Sequence, residues 1–156
     1  MRFRLWVPDA ASALVVGLLL FASVASAAPR DDVAAATAQW GQAIAENDPD
    51  KVLPFYAEDA VLWGTLSPKV RADRAAVRDY FVSAFKILPG LKVAFGEQLI
   101  RVYDNAAINT GYYTFSYVKD GEPKTISARY SFTYLNKGGS WMIVDHHSSA
   151  VPPPPQ

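Results

Sequence analysis

The run KVAFGEQLIRVYDNAAINTGYYTFSYVKDGEPKTISARYSFTYLNKGGSWMIVDHHSS, residues 92–149, decides the fold. It alternates apolar and polar residues and is rich in Tyr, Phe, Val, Ile and Thr, which suit a pleated, half-buried surface. The alternation breaks at Asp104-Asn105, Asp120-Gly121 and Asn136-Lys137-Gly138-Gly139, all residues that tolerate tight turns. The run therefore predicts four strands, Lys92–Tyr103, Ala106–Lys119, Lys124–Leu135 and Trp141–Ser149. Gly96 marks a bulge or bend in the first of them.

Upstream of this run the period is helical. Asp31 or Asp32 caps a helix with Val33, Ala36, Trp40, Ala43 and Ile44 on one face. Asn47-Asp48-Pro49 ends it and starts a short second helix, about Pro49 to Ala57, in which Pro54 removes a hydrogen bond. Ala60–Trp63 reads as a brief strand and residues 64–72 as a loop. Asp73 caps a third helix carrying Val77, Tyr80, Phe81, Ala84 and Leu88, which Pro89-Gly90 stops. Helices followed by a meander imply an α+β domain with the helices on one face of an antiparallel sheet. Strands this long twist and bend, so the expected shape is a cone made by a strongly bent sheet around a helix.

At the N-terminus, Arg2 and Arg4 precede an apolar stretch from Ala10 to Ala22, and Ala25-Ser26-Ala27 supplies a small-x-small cleavage pattern. This reads as a signal peptide, residues 1–27, because the apolar run is short against the ~20 residues a bilayer requires. Cleavage removes two arginines and Asp9 and leaves a net charge of −1. The expected domain spans residues 28–150, followed by a proline-rich tail, residues 151–156. The full chain has 15 basic and 15 acidic residues, which gives no electrostatic basis for binding nucleic acid or an anionic membrane. It has no cysteine, which excludes disulfides, thiol catalysis and thiolate metal sites.

Several segments resemble the nuclear transport factor 2-like superfamily, which also holds ketosteroid isomerase, scytalone dehydratase and the SnoaL-like polyketide cyclases. They are Phe55-Tyr56-Ala57-Glu58-Asp59-Ala60, Trp63-Gly64-Thr65, Gly111-Tyr112-Tyr113-Thr114-Phe115, residues 127–134 and residues 138–152. The last two are most similar to bacterial relatives of the association (hub) domain of calcium/calmodulin-dependent protein kinase II. The resemblance implies the cone-shaped fold of that superfamily, self-association into dimers or larger assemblies, and a pocket. It implies no kinase activity, and the chain has no Gly-rich phosphate loop or catalytic-loop signature. The three pocket arginines of the kinase hub fall near Tyr112, Phe132 and Ser148, none of them arginine, so carboxylate binding does not carry over.

The resemblance places Tyr112 and Ser148 at the pocket, and alternation puts His146 on the face of Ser148, with His147 and Asp145 opposite. His146 is then a candidate proton acceptor or a buried histidine bonded to a neighbouring strand. Trp63 is expected on the pocket wall, where it would equally serve as plain packing. Arg129 shares a face with Ser127, Ser131 and Thr133, which suits either a polar cavity or an interface. Asp59 reads as a turn or capping residue. Adjacent histidines on opposite faces make a poor metal site, and no cofactor is indicated. The leading reading is an exported, periplasmic or secreted, self-associating domain holding a small amphipathic ligand. The alternative is a cofactor-free lyase, isomerase or cyclase of the SnoaL-like type, and a third is an accessory protein that binds another exported protein.

Overall fold

A computed structural model describes residues 28–155; the expected signal peptide lies outside the described residues. Helix α1 runs Ala28–Ala45, α2 Pro49–Val52 and α3 Arg74–Ile87. The strands are β1 Tyr56–Trp63, β2 Lys92–Tyr103, β3 Ala106–Lys119, β4 Glu122–Lys137 and β5 Ser140–Ala150. Asp48 and Asp73 act as N-caps, accepting from the backbone N–H of Asp50 and Ala76. The second helix is shorter than expected: after Val52 the chain tightens into a 3₁₀ turn, Leu53–Phe55, at Pro54, and becomes strand at Tyr56. Asp59 therefore sits exposed within β1, not in a turn, and pairs with Lys137 at 3.5 Å.

The sheet order is β1-β5-β4-β3-β2. This differs from the expected strongly bent antiparallel cone in two ways. β1 lies parallel to β5, so the sheet is mixed, and β1 and β2 remain as open edges. The reason is topological: β1 precedes the α3 crossover and the meander, and returns beside the last strand in the same direction. Long strands are accommodated by local register shifts, one between Phe95 and Gln98 around Gly96 and another between Thr133 and Tyr134. The sheet stays open, neither strongly curled nor closed.

Helices cover one face of this sheet. Val33, Trp40 and Ile44 of α1 and Val77, Phe81 and Ala84 of α3 are buried against it, with Phe132, Tyr134 and Ile143 from the sheet. Tight turns follow the expected chemistry: Asp104, Asp120, Gly121, Gly138 and Gly139 all have positive φ. A polar knot sits inside this core. Thr37 donates to the Val33 carbonyl and receives Asn109 Nδ2 at 2.9 Å, while Asn109 also donates to Gln98 and accepts from Tyr130.

Candidate functional site

Two rows of residues cross the whole sheet one position apart. Leu62, His146, Phe132, Asn109 and Ile100 are successive cross-strand partners on the helix-covered face, and all are buried. Trp63, His147, Ser131, Thr110 and Leu99 form the next row, on the uncovered face. Adjacent histidines are thus separated by the thickness of the sheet, as strand alternation requires. Between the inner face and helices α1 and α3 lies a cavity of about 30 Å³ with an open mouth. Leu66, Tyr80, Phe81 and Leu88 give it apolar walls. A larger hollow of about 430 Å³ lies on the surface beside Phe55 and Trp141, with no comparable convergence of buried polar groups.

At the inner end of the cavity the polar groups are linked in series. Trp40 Nε1 donates to the Tyr56 hydroxyl at 3.2 Å, and that hydroxyl meets His146 Nδ1 at 2.8 Å. His146 Nε2 lies 3.3 Å from the Tyr113 hydroxyl, which donates to Ser148 Oγ at 2.5 Å. Ser148 in turn contacts the Thr65 hydroxyl. Rings pack the imidazole on both sides: Phe132 at 4.2 Å between centroids and Trp40 edge-on at 5.5 Å.

Burial sets the protonation states. Loss of water pulls His146 down to about 3, with a smaller contribution from nearby His147, so the ring is neutral at physiological pH. Desolvation likewise pushes the Tyr56 and Tyr113 hydroxyls well above the ordinary tyrosine range, partly offset at Tyr56 by the bond it accepts from Trp40. Asp145, half-buried on the outer face, is raised by desolvation. The site is an uncharged hydrogen-bonding array in an apolar shell.

Of the residues singled out in the sequence, His146 and Ser148 come together on the cavity. Tyr112, Trp63 and Arg129 do not: Tyr112 and Trp63 are exposed on the uncovered face, where Tyr112 pairs with Arg129 across the strands. The reason for Tyr112 is the two-residue period, since a placement off by one moves a side chain through the sheet. Its neighbour Tyr113 holds the inner position. Arg129 is thereby on the outer face, not in a cavity. Sequence reasoning passed over Trp40, Tyr56, Thr65 and Tyr113. For Tyr113 a signal existed: the Asp120-Gly121 turn sets Lys119 opposite Glu122, and counting back pairs Tyr113 with Ala128 on the bulky face of β4. Among the described residues no group of three His, Cys, Asp or Glu is placed to hold a metal ion.

The sequence matches the model of the calcium/calmodulin dependent protein kinase II association domain over residues 29–152. The chain belongs to that family. A Xanthomonas campestris protein assigned to the same association domain shares 38% identity over 77% of this chain and 86% of its own, with a TM-score of 0.71. More distant structures show the fold alone. A nuclear transport factor 2-like protein from Salmonella enterica is 15% identical over 83% of this chain and 96% of its own, with a TM-score of 0.74. A second, from Novosphingobium aromaticivorans, is 14% identical over 86% of this chain and 92% of its own, with a TM-score of 0.73. No curated protein matches the sequence. The association domain is distinct from the kinase catalytic domain, and this association-domain protein resembles the former. Among the described residues, none of its helices is long and apolar enough to cross a membrane.

Proposed function

We propose that residues 28–150 form an exported, self-associating domain that pairs through the uncovered face of its sheet and holds a small ligand in its cavity. The uncovered face carries the reading. Trp63, Leu99, Tyr103 and Tyr112 stand 50%, 56%, 59% and 57% exposed on it, large apolar and aromatic side chains spread among polar ones and costly to leave in water. A second copy of the same face supplies self-complementary cover, the usual logic of a two-fold dimer. The tail, residues 151–156, and the signal peptide, residues 1–27, complete the proposed organisation, with the periplasm or the exterior as the destination.

The cavity supports small-ligand binding by its division into apolar walls and a polar end. The lyase or isomerase alternative finds no favouring observation: no carboxylate is among the described residues lining the cavity, and burial keeps His146 from taking up a proton near neutral pH. Sedimentation of the mature protein across a concentration series tests the association. A mass of two or more subunits at micromolar concentration is expected, and Trp63→Glu should shift it toward monomer. A wild-type monomer at every concentration refutes the reading.

A further inference from the structure

The polar chain at the inner end of the cavity has a direction, and the direction leaves one hydrogen unused. Its members are the side chains of Trp40, Tyr56, His146, Tyr113, Ser148 and Thr65, and among the described residues each is bonded only to its neighbours in the series. An indole nitrogen donates and never accepts. Tyr56 therefore accepts from Trp40, and its single hydrogen goes to His146 Nδ1, the nearer contact. A neutral imidazole that accepts at Nδ1 carries its proton on Nε2, and that proton faces the Tyr113 oxygen. Tyr113 in turn donates to Ser148. The six groups bring six hydrogens to five links. The remaining hydrogen belongs to Ser148 or Thr65, whichever accepts in the last link. Both line the cavity.

We infer that the cavity takes an uncharged ligand bearing a hydrogen-bond acceptor, a small ketone, aldehyde or ester, whose carbonyl oxygen receives the free hydroxyl hydrogen of the Ser148–Thr65 pair. The inference rests on the small-ligand reading above and names the ligand's class. A carbonyl oxygen brings no hydrogen of its own, so it matches a site with one donor to spare. About 30 Å³ at the inner end suffices for the carbonyl group, and the apolar remainder extends along Phe81 and Leu88 toward the exposed Leu66. A carboxylate or an ammonium finds no counter-charge, since no Asp, Glu, Lys or Arg is among the described lining residues. Burial holds His146 neutral, which keeps the direction of the chain fixed across the physiological range.

Three probes of equal heavy-atom count test this at pH 7: butanone, its hydrocarbon analogue 2-methyl-1-butene, and propionate. Nuclear magnetic resonance of the Trp40 indole and the His146 ring reports occupancy, and infrared spectroscopy of bound butanone reports its carbonyl stretch. Butanone should perturb both rings with its stretch lowered from the value in hexane. Propionate should bind at least about tenfold more weakly, for want of a counter-charge. Independently of any probe, the nitrogen-15 shifts of His146 should show a protonated Nε2 and a bare Nδ1. If 2-methyl-1-butene occupies the cavity but butanone does not, or if bound butanone keeps its hexane stretch, the small-ligand reading stands and the acceptor inference falls. Propionate binding as well as butanone, or a protonated Nδ1, also overturns the inference. If no probe perturbs either ring, the small-ligand reading falls and takes the inference with it.

Discussion

Replacing His146 by Gln exchanges a titratable ring for a neutral amide that can still accept from Tyr56 and donate toward Tyr113. The exchange isolates the protonation of one buried group. In the folded protein desolvation pulls His146 to about 3, whereas in the unfolded chain a histidine titrates near 6.5. Below about pH 6.5 the unfolded chain takes up a proton at this position that the folded chain refuses. Stability from this source is therefore fully present above pH 6.5 and declines as pH falls toward 3, by up to about 1.4 kcal/mol per pH unit. Between pH 7.5 and pH 5 the loss from His146 comes to about 2 kcal/mol. Urea unfolding at the two pH values and a fixed protein concentration measures it. The wild type should lose about 2 kcal/mol more than His146→Gln over that interval. His147, exposed on the outer face, is common to both proteins and cancels. Equal pH dependence in the two proteins would refute the reasoning, because it would mean that the folded ring protonates as freely as the unfolded one.

The other predictions concern separate parts of the molecule. Gly64 has no room for a Cβ, which would run into the Tyr80 ring on the cavity wall; Gly64→Ala should lower stability by about 1–3 kcal/mol and shift the Tyr80 and His146 resonances, and an unchanged melting temperature would contradict it. Asp73→Ala removes the acceptor for the Ala76 N–H at the start of α3 and should cost about 1 kcal/mol in urea unfolding, which Asp73→Asn should largely restore. Protein recovered from a periplasmic extract should have the mass of a chain beginning at Ala28, and the mass of the full 156 residues would defeat the export proposal.

What could be read from the sequence followed from periodicity and turn chemistry. The bounds of β2 and β3 match the expected Lys92–Tyr103 and Ala106–Lys119 because Asp104-Asn105 and Asp120-Gly121 punctuate a strict alternation. The caps at Asp48 and Asp73 were legible for the same local reason. The placement of β1 in the sheet was not legible. Whether β1 pairs with β5 or stays apart depends on a contact some 80 to 90 residues away in the chain, between Tyr56 or Leu62 and their partners Ile143 and His146, and local pattern carries no such information. The site divides similarly. His146 and Ser148 were reachable because they share one strand face. Trp40, Tyr56 and Thr65 come from a helix, a strand start and a loop, and their hydroxyl and indole groups converge only through tertiary packing. Tyr112 was misplaced through the family's arginine position, where the register set by the neighbouring turn would have chosen Tyr113.

The position of β5 has a consequence for a chain made from its N-terminus. The last strand to emerge, Ser140–Ala150, lies between β1, the earliest strand, and β4. Until it arrives, Tyr56–Trp63 has no neighbouring strand in the sheet and meets only the single backbone bridge from Leu62 to Arg71, and the row through Leu62 and Phe132 is interrupted at the place of His146. Helix α1 can gather over β2 beforehand, but the sheet cannot be joined. Folding is thereby held back to the end of synthesis, because its decisive contacts span most of the chain and such closures are slow. A protein arranged in this order stays unfinished for nearly as long as it is being made.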